Sequence, residues 1–366
     1  MNFEFNLHTR IVFGKGTLNQ VGKIAKNYGS SVLVITGSTA MKTQGYSEKL
    51  LSSLNREDVK AIIFNGVSPN PKAEEVNNAI DLVRKENINL IIGLGGGSAI
   101  DVAKATSVGI NYSLIEEIIG KEINPDNYIP IIAIPTTAGS GAEVTKGAII
   151  TDPKRKIKLG IRGSCLAPKV AIVDPELTYT LPRKVAAETG FDALTHAIEP
   201  YITKKANYIT DILAEKSINL ISEYLETALI GDIDSREKMS LAALYGGINV
   251  LNASSCLPHR LQQAMGSVIE ISHGAGLAAV YPSWLKIVSP YSQEKIRNIE
   301  NIFIKKGYKG IFGFMERIGV NYRLRDLGIK KEQIPQFVEK VEGNLENDPI
   351  PNINKDLINR IYQESY

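Results

Sequence analysis

The sequence predicts an α/β half followed by an all-helical half, divided near residue 178. Two patterns predict it. Up to Val173, short apolar runs alternate with segments of helical period, and beyond Leu181-Pro182 strand-like runs nearly vanish. Strands alternating with helices indicate a parallel sheet covered on both faces. We therefore expect residues 1–177 to form an α/β domain and residues 178–366 an all-α domain.

In chain order, Val32 to Thr36 reads as a buried strand and Lys60 to Phe64 as the next, followed by the turn Ser68-Pro-Asn-Pro71. From Glu74 to Glu86, the apolar residues Val76, Ala79, Ile80 and Val83 recur at a helical period. Leu90 to Leu94 reads as a strand, Ala99 to Val108 as a helix, and Ile129 to Ile134 and Lys169 to Val173 as further strands. In the second half Asp211 to Leu225, Arg236 to Leu251 and Lys295 to Phe303 carry long helical patterns.

Composition excludes several classes. Of 366 residues, 43% are hydrophobic and 22% charged, an ordinary globular balance. A net charge of +3 gives no reason to expect nucleic acid or an anionic membrane as partner. No run is as apolar and long as a membrane span, and the first residues lack the basic and apolar regions of a signal peptide, so a cytoplasmic protein is expected. Cys165 and Cys256 are the only cysteines, which rules out a disulfide framework. Cys256-Leu-Pro-His259 is followed by no second cysteine pair, and Cys256 reads as a buried thiol.

Two glycine-rich turns follow predicted strands, where an α/β sheet binds its ligands. The first is Gly95-Gly-Gly-Ser-Ala-Ile-Asp101. Glycine lets a ligand approach the backbone, and the helix that follows offers its first N–H groups to a phosphate. Its spacing matches neither the dinucleotide fingerprint nor a P-loop. The second, Pro135-Thr-Thr-Ala-Gly-Ser-Gly141, is rich in hydroxyls suited to a diphosphate or ribose. Two such loops on successive strands favour a nucleotide site.

The second half holds a different chemistry. In Gly190 to Pro200, Asp192 and His196 stand one helical turn apart on one face. Alone, such a pair is equally a surface contact or a core histidine. The chain has only four histidines, and a metal site formed by Asp192, His196, His259 and His273 would use all but His8. Three imidazoles and a carboxylate suit Fe²⁺ or Zn²⁺ better than Mg²⁺ or Ca²⁺.

These motifs, with Ile11-Val-Phe-Gly14 and Ser272-His-Gly-Ala-Gly-Leu-Ala278, resemble the iron-containing (group III) alcohol dehydrogenases, relatives of glycerol dehydrogenase and dehydroquinate synthase. The resemblance spans almost the whole chain, and its last motif resembles the butanol dehydrogenase branch. It implies an N-terminal dinucleotide-binding domain, an all-α C-terminal domain, and a metal held by Asp192, His196, His259 and His273. It also implies cofactor contacts from Asn70, Gly96, Gly97, Ser98, Asp101, Thr136, Thr137, Ser140, Lys158 and Leu177, and a homodimer. The implied reaction is hydride exchange between a small alcohol or aldehyde and a nicotinamide, with the metal as Lewis acid.

Two local features refine this expectation. Many members carry a histidine four residues after the third ligand, where this chain has Gln263, which cannot titrate. After the first strand the chain runs Gly37-Ser-Thr-Ala-Met-Lys42, without the acid that selects NAD. Gly37 leaves room, Ser38 can donate a hydrogen bond and Lys42 can offset a 2′-phosphate, so NADP is expected over NAD. A dehydroquinate synthase-like or glycerol dehydrogenase-like enzyme, a non-haem iron oxygenase and a non-catalytic nucleotide binder are the competing readings. Net NAD(P)H formation from simple alcohols separates them.

Overall fold

The structure is a computed structural model that describes residues 2–37 and 45–366. Contacts divide it into two units, one of residues 7–137 and 141–180, the other of residues 1–6, 138–140 and 181–366.

The first unit is built on six parallel strands: β1 (Arg10–Phe13), β2 (Ser31–Gly37), β3 (Lys60–Val67), β4 (Leu90–Gly95), β5 (Ile131–Pro135) and β8 (Val170–Val173). Their order across the sheet is β1-β8-β5-β4-β2-β3. Strand β2 shows why such runs read as continuously apolar. Leu33 and Ile35 pack on one face with Val76, Ile80 and Val83 of α3 (Ala73–Lys85). Val32 and Val34 pack on the other with Leu50 and Leu54 of α2 (Tyr46–Asn55) and Ile24 of α1 (Val21–Ala25). Both faces are covered, so both alternating sets must be apolar. The predicted strands and helices of this half all form, with shifted ends. Strand β5 starts at Ile131 rather than Ile129, because Pro130 has no N–H and Ile129 N is bonded to Ser107 O. Helix α4 (Gly97–Gly109) starts two residues before the predicted Ala99.

Strand order reverses between β2 and β4, since β2 leads to β3 on one side and β4 to β5 on the other. That switch point is where open α/β sheets bind ligands. A methyl group on Gly95 would lie 2.8 Å from Ala99 Cβ and 3.6 Å from Gly37 N. Glycine is what allows the turn after β4 to sit there. Unpredicted were β1 and the antiparallel hairpin of β6 (Gly147–Asp152) and β7 (Ile157–Arg162). Strand β1 has only four residues, and β6 and β7 each carry a glycine and two polar or charged residues among their apolar ones.

The second unit contains only helices among the described residues. They are α5 (Arg183–Ile202), α6 (Tyr208–Leu229), α7 (Ile233–Ala253), α8 (Leu257–Gly266), α9 (His273–Val288), α10 (Gln293–Lys305), α11 (Gly310–Ile318), α12 (Ile334–Glu339) and α13 (Lys355–Glu364). One apolar core joins them, with Phe191, Tyr281, Trp284, Phe303 and Phe314 at most 3% exposed. Among the described residues no helix is long and apolar enough to cross a membrane.

Candidate metal centre and cofactor loops

Helix α5 carries Asp192 and His196, and it can be approached closely because of glycine. A methyl on Gly190 would lie 2.5 Å from Leu225 Cδ1 of α6, and one on Gly246 of α7 would lie 3.1 Å from His196 Cβ. Helix α8 carries His259, and its start is fixed by two buried carboxylates. Glu199 Oε2 accepts the N–H of Cys256 at 2.6 Å, and Asp348 Oδ2 accepts that of Leu257 at 3.0 Å. These N–H groups have no acceptor inside the helix, and acids suit its positive end. Burial pushes the Glu199 carboxyl up to about 8, against the Cys256 N–H and the charges of His196 and Arg260. His273 is the first residue of α9.

The four side chains converge. Asp192 Oδ1 lies 3.9 Å from His196 Nε2, 3.9 Å from His259 Nε2 and 3.5 Å from His273 Nε2. The Nε2 atoms of His196 and His259 are 2.9 Å apart. Each ring is oriented from behind. His196 Nδ1 faces Gly139 O at 3.3 Å, His259 Nδ1 faces Glu199 Oε2 at 2.8 Å, and His273 Nδ1 faces Gln262 Oε1 at 2.6 Å. A bound cation would favour the ionised form of Glu199; each facing oxygen then accepts, so each Nδ1 carries the proton and each Nε2 is left free to bind.

The Nε2 atoms of His196 and His259 and the Oδ1 of Asp192 lie close enough together to share one cation. Asp192 Oδ1 is buried and has no hydrogen-bond partner, the state of an oxygen kept for a metal. Ligands at about 2.1 Å around a tetrahedral ion stand about 3.4 Å apart, within the range seen here. Asp192, His196 and His259 satisfy the geometry of a metal-binding group, whereas His273, the fourth expected ligand, lies outside that group and approaches it through Asp192 Oδ1 at 3.5 Å. The donor set therefore fits a borderline divalent cation such as Fe²⁺ or Zn²⁺.

The expected cofactor residues lie at the carboxyl ends of the strands. Lys158 Nζ donates to Asn70 Oδ1 at 2.7 Å, joining β7 to the turn after β3. Ser98 Oγ donates to Pro69 O at 2.7 Å, joining that turn to the start of α4. Gly96 and Gly97 open α4, whose first N–H groups lack intrahelical acceptors. A methyl on Gly96 would lie 3.6 Å from the Thr137 side chain, and Thr136 N donates to Gly95 O at 2.9 Å, so both glycine turns meet. Asp101 turns away from them. Its Oδ2 accepts the N–H of Ile149 on β6 at 3.0 Å, and burial raises its carboxyl to about 6. Leu177 is 2% exposed and belongs to the apolar cluster on the sheet face that also holds Val32 and Val34. Ser140 belongs to the 138–140 segment of the helical unit. Gly37 ends β2, and a methyl there would meet only Val67 O, at 4.0 Å. Ser38 and Lys42 lie outside the described residues.

Sequence reading missed Glu199, Gln262 and Gly139 as supports of the imidazoles. Glu199 stands three residues after His196 and Gln262 three after His259, a spacing that shares a helix face. Gly139 had no such signal.

Comparison with known proteins shows the family. Residues 8–175 match the family model described as iron-containing alcohol dehydrogenase, and residues 186–366 match the C-terminal model of the Fe-containing alcohol dehydrogenase family. The chain belongs to the iron-containing alcohol dehydrogenase family, and it is an oxidoreductase of the alcohol and aldehyde dehydrogenase type. It is similar to the NADPH-dependent butanol dehydrogenase of Clostridium saccharobutylicum, with 30% identity over 99% of this chain and 98% of that protein. It is 35% identical to the NAD-dependent methanol dehydrogenase of Bacillus methanolicus, over 72% of this chain and 70% of the relative. An iron-containing alcohol dehydrogenase from Thermotoga maritima superimposes with a TM-score of 0.90 and 29% identity, covering 100% of this chain and 99% of that one.

Proposed function

We propose that the chain is an NADP-preferring dehydrogenase of small primary alcohols, run in reverse as an aldehyde reductase. Asp192, His196, His259 and His273 are its metal ligands. The observation that carries this reading is the convergence of three Nε2 atoms on the partnerless Asp192 Oδ1. A divalent cation held there supplies Lewis acidity toward an alcohol or aldehyde oxygen. A nicotinamide supplies the hydride acceptor or donor.

The protein's own part is orientation. Glu199, Gln262 and Gly139 hold the imidazoles in one tautomer, and a buried site keeps water away from three of the four ligands. Asn70, Gly96, Gly97, Ser98, Thr136, Thr137, Ser140, Lys158 and Leu177 are the proposed cofactor contacts. Asp101 supports them from behind, by tying α4 to β6. NADP preference rests on Gly37, which ends β2 with space beside it and no acid. The similar butanol and methanol dehydrogenases use different cofactors by name, so relatives leave this choice to local residues. The same proposal takes residues from about 178 onward as the metal-binding domain, the active form as a homodimer and the location as the cytoplasm.

An anaerobic screen tests the reading. Purified protein, stripped and reloaded with Fe²⁺ or Zn²⁺, is offered several primary alcohols with NADP or NAD while its metal content is measured. Metal-dependent net NADPH formation is expected. Full metal loading with no alcohol turnover by either cofactor would sink it.

A further inference from the structure

One of the four converging side chains is held differently from the rest. About a third of the His273 side chain is exposed (33%), against 6–8% for His196, His259 and Asp192. It opens α9 immediately after the non-helical stretch 267–272, whereas the others sit within helices. Something outside the helix ladder must therefore fix it.

Glu188 meets that need. It lies on α5 one turn before Asp192, on the same face. Ser272 occupies the cap position of α9, where serine usually accepts a helix N–H, yet its hydroxyl makes no cap bond. It donates instead to Glu188 Oε2 at 2.5 Å. The other carboxylate oxygen accepts from Tyr322 OH at 3.2 Å. Glu188 is only 6% exposed, and the ammonium nearest to it, Lys184 at 3.9 Å, belongs to a side chain 77% exposed. A buried carboxylate is thus kept for two hydroxyls. On the far side of His273, a methyl on Gly274 would lie 2.2 Å from Glu188 O. Both neighbours of His273 thus meet the same residue, Ser272 by a hydrogen bond to its side chain and Gly274 by an approach to its backbone that only glycine allows.

We infer that Glu188 and Ser272 form a latch that positions His273 and sets how long a bound divalent cation is retained. The inference rests on the metal-centre reading above. Asp192, His196 and His259 are preassembled on α5 and α8, and His273 closes the set from the side open to water. Opening the latch frees the 267–272 stretch to carry His273 away, so metal leaves faster while the other three ligands stay in place. Glu188 and Ser272 are positioning residues, since they act through His273.

The test follows Co²⁺, loaded in place of the native metal, by its visible absorption while excess chelator draws it out. Ser272→Ala and Glu188→Ala should each speed release by about 10-fold, within the range typical of lost outer-shell contacts. The double variant should be no faster than either single one, because both open the same latch. Glu188→Gln, whose amide oxygen can still accept from Ser272, should retain most of the parent's slow release and serves if the alanine variants fold poorly. Melting of the metal-free protein should be nearly unchanged by Ser272→Ala. Release rates within about 2-fold of the parent, or a double variant whose effects multiply, would overturn the latch and leave the metal centre intact. A parent protein that binds no Co²⁺ would overturn both.

Discussion

His259 holds its Nδ1 2.8 Å from Oε2 of Glu199, a carboxylate with no exposed surface that also accepts the Cys256 N–H. One acid therefore sets the tautomer of a proposed ligand and the start of the helix that carries it. Glu199→Gln keeps the volume but can turn an amide N–H toward the ring. It should lower divalent-metal affinity by about 10- to 100-fold in a chelator competition. Unchanged affinity would show that this bond does not orient the imidazole.

Replacement of any one of Asp192, His196, His259 or His273 by alanine should lower metal occupancy and turnover together. Chelation should abolish activity, and Fe²⁺ or a neighbouring first-row ion should restore it. A His273→Ala protein with full metal and full rate would remove that residue from the set.

Gln263 lies on α8, 7% exposed, with its Oε1 accepting from Arg260 Nη1 at 3.2 Å. An amide neither gains nor loses a proton near neutrality, so it contributes no inflection to the pH–rate profile. Gln263→His should add one at about pH 6.5, the ordinary imidazole range. Identical profiles and rates for parent and variant would exclude the position from proton transfer.

Gly37→Asp places a carboxylate at the end of β2, where the backbone leaves space for it. Ratios of kcat/KM for NADP and NAD should move toward NAD by about 1–3 kcal/mol, roughly 10- to 100-fold. A parent enzyme that already favours NAD would refute the cofactor proposal.

Glu143 is 3% exposed beside α4, and burial raises its carboxyl to about 7 against the attraction of Lys104. Between the ordinary glutamate value of 4.5 and about 7 the folded chain keeps a proton that the unfolded chain has lost, so stability falls as pH rises through that window. Glu143→Gln removes the titration. Its melting temperature should exceed the parent's by about 2–4 °C at pH 8 and match it near pH 5, where little of the penalty has yet developed. Parallel pH dependence in both proteins would show that Glu143 stays ionised without cost.

The parallel strands were legible because both faces of the sheet are covered, which leaves uninterrupted runs such as Leu90 to Leu94. The hairpin β6–β7 was not, since glycine, Thr151, Asp152, Lys158 and Arg162 break up its apolar residues even where they are buried. At the candidate metal centre, scarcity made the histidines readable. Their supports were harder to see, because a buried glutamate or glutamine looks like any surface residue until folding brings it to an imidazole. Glu188 shows the limit most clearly. Its partner Ser272 is 84 residues away, and no spacing rule reaches that far.

The Gly139 carbonyl that faces His196 has a consequence for dissecting the enzyme. Residues 138–140 and residues 2–6 pack with the helical unit, although the chain between them belongs to the sheet unit. Asn6 and Asn252 bind each other at 2.7 and 3.0 Å, so the amino terminus is stitched to α7. A fragment cut at residue 181 would contain all four converging side chains yet lack the acceptor for one imidazole and the strap on α7. The helical portion is thus not a transplantable cassette: as a packed unit it is assembled from three separate lengths of one polypeptide.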